Sequence, residues 1–104
     1  MTDAALAFTD NAELHRFEAA RGGTLAAYVE YNLLKDAILF SHTEVLPEFE
    51  GQGVGSAIAR HVLDAARAQG RMVVPACQFI AGYIRKHREY VDLVQPHVQR
   101  AFHI

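Results

Sequence analysis

Two periods organise the apolar positions of this chain. Thr24 to Tyr31 is rich in β-forming residues, and the short mixed segment Glu13 to Ala19 stands before it across Arg21-Gly22-Gly23. Glycines between two such runs predict a hairpin. A further run, Ala37 to Val45, carries Ile38, Leu39, Phe40, Thr43 and Val45 after the polar break Lys35-Asp36. It is expected as a third antiparallel strand, stopped by Pro47, which has no N–H to give to a ladder. The period then changes. From Gln52 to Gln69, Val54, Ile58, Val62 and Ala65 recur at spacings of three and four while Arg60, Asp64 and Arg67 fall elsewhere, which predicts an amphipathic helix. Gly70 suits its C-terminus, and Met72-Val73-Val74 follows as a brief strand closed by Pro75.

Strand, loop, helix and strand in that order make a βαβ crossover, which should set the Met72 strand parallel to the Ala37 strand. A second helix is expected from about Gln78, with Phe79, Ile80, Tyr83 and Ile84 at helical spacing and Arg85 to Arg88 at its cationic end. The fold class is therefore α/β: antiparallel strands, a βαβ crossover and a C-terminal helix. Tyr90 to Val94 fits either a helical turn or a last strand. The opening segment to Asp10 and the tail Gln95–Ile104 carry weak signals and are expected to be loose.

Composition narrows the function rather than the fold. At 104 residues, half of them apolar and a fifth charged, the chain suits one domain with its core at about residues 11–94. The net charge of -2, with acids and bases interspersed, argues against nucleic acid. No apolar run reaches the roughly 20 residues a membrane span needs, and Met1-Thr2-Asp3-Ala4 lacks the positive start of a secretory signal. A soluble cytoplasmic protein is expected. Six histidines occur without zinc spacing, so no metal is assigned.

The glycines Gly51, Gly53 and Gly55 stand at alternate positions where the long helix begins. Without β-carbons, such a loop lets backbone N–H groups approach an anion at a helix N-terminus, although a flexible strand-to-helix connection uses the same residues. No Gly-Lys-Ser/Thr follows, and Ser56 stands where a dinucleotide motif needs its third glycine, which argues against both nucleotide patterns. The one cysteine, Cys77, cannot form a disulfide within the chain and lies just ahead of a helix whose N-terminal field favours a thiolate. His42, on the strand expected beside it, could meet the thiol across a crevice. Cys77 as a small buried hydrophobe, and His42 as an ordinary strand residue, are the alternatives. Tyr83, Phe79 and Tyr90 read as core.

The run Glu50-Gly51-Gln52-Gly53-Val54-Gly55, following a Pro-stopped strand and opening a long helix, resembles the pyrophosphate loop of the GNAT N-acetyltransferase superfamily, with Glu50 where that motif has Gln or Arg. His42-Thr43-Glu44-Val45, Pro75-Ala76-Cys77 and His87-Arg88-Glu89-Tyr90 extend the resemblance to its short, single-domain YjdJ-type branch. It implies a minimal GNAT fold that binds acetyl-CoA or coenzyme A, with pyrophosphate on Gly51, Gln52, Gly53, Val54, Gly55 and Ser56. It also implies pantetheine on the backbone of Thr43, Val45 and Leu46, and an unidentified amine as acceptor. The glutamate base of larger members has no counterpart at Leu39, Phe40 or Ser41. Cys77 would be acyl acceptor or general acid, and His42 its base. A coenzyme A-binding or regulatory module without turnover is the alternative, and the chain is expected to be a monomer or weak homodimer.

Overall fold

The computed structural model describes residues 5–104; Met1 to Ala4, read above as lacking a secretory start, lie outside them. Five strands, β1 (Leu6–Asn11), β2 (Arg16–Arg21), β3 (Thr24–Leu33), β4 (Ala37–Val45) and β5 (Met72–Val74), form one sheet in sequence order. The first four are antiparallel, and β5 lies parallel to β4. Helix α1 (Val54–Ala68) makes the crossover, α2 (Gln78–Lys86) follows β5, a 3-10 helix covers Arg88–Leu93, and α3 (Pro96–Ala101) ends the chain.

The expected crossover and parallel β4–β5 pair are present, and β4 has the expected bounds. Two expectations for the ends are corrected. The opening segment is β1, whose backbone groups are satisfied by β2 although its own apolar pattern is only Leu6 and Phe8. The tail is not loose. Pro96 presets the first turn of α3, the Gln99 carboxamide donates to the carbonyls of Val91 and Val94, and Arg85 donates to those of Phe102 and His103. Tyr90 to Val94 resolves as helical turn rather than strand.

The core lies between α1 and one face of the sheet. Ile58, Val62 and Leu63 of α1 are fully buried against Ala19, Val29 and Phe40 among others. Each such side chain contributes about 1.5–3 kcal/mol by leaving water. The opposite face is polar: Arg16 pairs with Glu18 at 2.7 Å and lies over the Tyr28 ring, which in turn neighbours His42.

One irregularity positions everything that follows. Glu30 pairs with His42 while Tyr31 pairs with Phe40, so Ser41 is an extra residue in β4, a β-bulge. Strand side chains alternate with period two, and one extra residue reverses the alternation. Ile38 and Phe40 face the helices before the bulge; Thr43 and Val45 do so after it.

Candidate functional site

The pairing of β4 with β5 covers only Ala37 to Leu39 against Met72 to Val74. Beyond it β4 runs on to Val45, whereas β5 ends at Val74, before Pro75, so the two strands part and leave a cleft between Phe40–Val45 and Pro75–Cys77. In an antiparallel pair, backbone groups point alternately towards and away from the partner. Leu46 donates its N–H to Ala26, and Glu44 and His42 hold the same parity against β3. Thr43 and Val45 therefore turn their N–H and C=O groups outward, to the side β5 has vacated. Leu46 differs from its two neighbours. Its N–H goes to Ala26 and its carbonyl accepts from Phe49, so its backbone serves the sheet and the Pro47–Phe49 turn.

The glycine loop closes the cleft at one end. Gly51 and Gly53 have φ of 79° and 76°, left-handed values that cost a residue with a β-carbon about 1–2 kcal/mol. A β-carbon at either would meet nothing within 4 Å, so the space beside the loop is open. Helix α1 begins two residues later than its apolar period suggested, because Gly53 takes the N-cap and Gln52 belongs to the turn. The Gln52 carboxamide accepts from Arg21 at 2.6 Å and donates to the Glu48 carbonyl. Ala57 is the first to donate within the helix, to Gly53. The N–H groups of Val54, Gly55 and Ser56 precede it, no side chain caps them, and no acidic residue stands in that turn. Three uncapped donors and the positive end of a 15-residue helix suit an anion.

A recess of about 250 Å³ continues from this turn between α1 and α2, with Ser56 and Phe79 on its walls and the cation Lys86 at its rim. A similar recess of about 270 Å³ lies along another side of α1, between Ala57 and Asp64, floored by Phe8 stacked on His61 at 4.3 Å. No glycine of the loop and no residue of the cleft lines that one, whereas Ser56, one of the three uncapped donors, lines the first.

Cys77 occupies the N-cap of α2, at the mouth of the cleft, with 7% of its surface exposed. Its thiol donates to Oγ1 of Thr43 at 3.1 Å. Its carbonyl accepts from Ala81, so the N–H groups of Gln78, Phe79 and Ile80 form the free turn beside it. His42, one residue before Thr43, faces the polar side of the sheet, where Nε2 lies 3.0 Å from Oε1 of Glu44 and both side chains are about half exposed. The sequence proposed an imidazole beside the thiol; the side chain found there is a hydroxyl. Thr43 was singled out only for its backbone, and the Ser41 bulge that turns its side chain inward leaves no mark in the apolar pattern.

The reading of Phe79 as core is corrected: its ring lies over Gly55, but the residue is 43% exposed and stands outside the core. Tyr90 is buried and donates to Asp64 at 2.6 Å, which with burial pushes its phenol up to about 12. Tyr83 stacks on His87. No helix among the described residues is long and apolar enough to cross a membrane.

Among known families, a model described as GCN5-related N-acetyl-transferase matches residues 16–93, three quarters of the chain. No curated protein matches it.

Proposed function

Because the chain belongs to the GCN5-related N-acetyl-transferase family, and its five-stranded sheet has that family's α/β architecture, we propose that it moves an acetyl group from acetyl-CoA to an amine by way of Cys77. The observation that carries this reading is the parting of β4 from β5 beside an uncapped helix N-terminus, with the one thiol of the chain at the mouth. The Pro75-Ala76-Cys77 step supports placing it in the short, YjdJ-type branch, and a reducing compartment such as the cytoplasm suits the free thiol.

The residues present fit coenzyme A. Val54, Gly55 and Ser56 offer N–H groups to a pyrophosphate, and Gly51 and Gly53 keep β-carbons out of its way, with Gln52 holding the turn. Glu50 brings a negative charge to the same loop, so backbone donors carry the binding. Thr43 and Val45 offer the strand edge that a pantetheine amide can join. Leu46, read with them from the sequence, keeps the strand in place instead.

When bound, acetyl-CoA supplies an activated acetyl carbon and a thiolate able to leave. Cys77 forms the new carbon–sulfur bond and gives up its proton, which balances the departing thiolate. An amine nitrogen then bonds to that carbon, and Cys77 recovers its electron pair and a proton. His42, oriented by Glu44, is the base on the polar face for the proton the amine must lose.

Intact mass spectrometry after mixing with acetyl-CoA in the absence of amine tests the reading. An acetyl increment on the native chain, absent from Cys77→Ala and discharged by an added aliphatic amine, is expected. A chain that binds no coenzyme A by calorimetry and gains no acetyl group would sink it.

A further inference from the structure

We infer that Thr43 is the positioning residue for the Cys77 thiol, and that its hydroxyl serves both protonation states of the sulfur. The inference rests on the reading of Cys77 as the acetyl-carrying group, but it stands on geometry of its own. Sγ and Oγ1 are 3.1 Å apart across the cleft, between a strand and a helix N-cap that are 34 residues apart. As a thiol, Cys77 donates to Oγ1. A hydroxyl both donates and accepts, so when the proton leaves, the Thr43 O–H can turn and donate to the thiolate without either side chain moving. Valine has the same shape and can do neither.

Burial sharpens the requirement. Cys77 is 7% exposed, so water is a poor substitute for the lost partner, and an unpaired thiolate there bears its full desolvation cost. The sulfur caps no N–H of the first turn of α2; its hydrogen bond runs across the cleft to Thr43 instead. Thr43 thereby aims the sulfur at the gap between β4 and β5. The hydroxyl is held in turn, since Thr43 sits just past the Ser41 bulge in a strand paired on its other edge to Val29.

The test is the rate at which iodoacetamide alkylates the ligand-free protein, followed at neutral and alkaline pH in native, Thr43→Val and Thr43→Ser chains. Cys77 is the one cysteine, so the signal has a single source. Thr43→Val should slow alkylation about tenfold at neutral pH, where a thiolate must be stabilised to exist. It should converge with the native rate in alkali, where the thiolate forms unaided, and Thr43→Ser should restore the neutral rate. A valine variant as fast as the native chain, slowed equally at every pH, or not rescued by serine overturns the inference. Acetyl labelling of native Cys77 is scored separately. Labelling with a Thr43-independent alkylation rate refutes only the role of Thr43, and Thr43-dependent alkylation without labelling refutes only the transfer reading.

Discussion

Phe79 closes over Gly55: a β-carbon added at Gly55 would stand 2.8 Å from Cζ of the Phe79 ring and 3.3 Å from Cγ2 of Val45. The first turn of the glycine-loop helix can touch β4 and α2 together because that position carries no side chain. Alanine in a helix is worth up to about 1 kcal/mol over glycine, so Gly55→Ala sets a propensity gain against a displaced ring. The gain should be larger in a Phe79→Ala background than in the native chain, by about 0.5–1 kcal/mol in a double-mutant cycle of denaturant melts. Equal effects in both backgrounds would show that the ring does not press on this turn.

Gly53 imposes a different constraint. Its surroundings are open, but its φ of 76° is left-handed and it caps α1. Gly53→Ala should cost about 1–2 kcal/mol of stability through backbone strain. If the N–H groups after it hold pyrophosphate, coenzyme A affinity should fall at least about tenfold, or 1.4 kcal/mol, in calorimetry on the folded variant. Unchanged affinity would remove the loop from the binding site.

His42 and Cys77 have separate partners, and that separation has a kinetic signature. His42→Ala should leave the neutral-pH alkylation rate of Cys77 within about twofold of native and leave its acetylation intact. Discharge of the acetyl group to an amine should slow by about a hundredfold, the lower range for loss of a general base. If alkylation slows as much as discharge, the imidazole acts on the thiol after all.

His61 links pH to stability. It stacks on Phe8, meets the edge of Phe17, and has Arg60 and Asp64 beside it on α1. Burial lowers its pKa from 6.5, with Asp64 opposing. The unfolded chain therefore takes the proton first, so stability is full above about pH 6.5 and declines as pH falls from there. His61→Phe keeps a ring against Phe8 and should lessen the loss between pH 7 and pH 5, measured by urea melts. An identical decline in both chains would place the sensitivity in other groups.

The parts of this molecule that could be read from sequence are those where a single period decides. Val54, Ile58 and Val62 mark α1 because a helix packed on a sheet needs one apolar stripe, and the Ala37–Val45 strand was bounded by Lys35-Asp36 and Pro47. Where stability comes from partners far along the chain, the pattern was silent. Leu6 and Phe8 alone do not announce β1, whose ladder is completed by β2, and α3 is anchored by Gln99 and Arg85 to carbonyls that only the fold brings near. In the candidate site, the glycines and Cys77 were visible as residue types. The Thr43 contact was not, since the orientation of a strand side chain depends on counting every residue in register with its neighbour.

That count gives Ser41 a chemical consequence although its own side chain takes no part in the cleft. Were Ser41 to take the place of His42 opposite Glu30, the two-residue period would present His42 to Cys77 and turn Thr43 to solvent. Deleting Ser41 instead leaves Phe40 and Thr43 inward and His42 outward in unbroken alternation, so such a variant should keep the Thr43-dependent alkylation rate. The bulge thus selects the partner of the thiol through strand register alone, with the amino acids of the cleft unchanged.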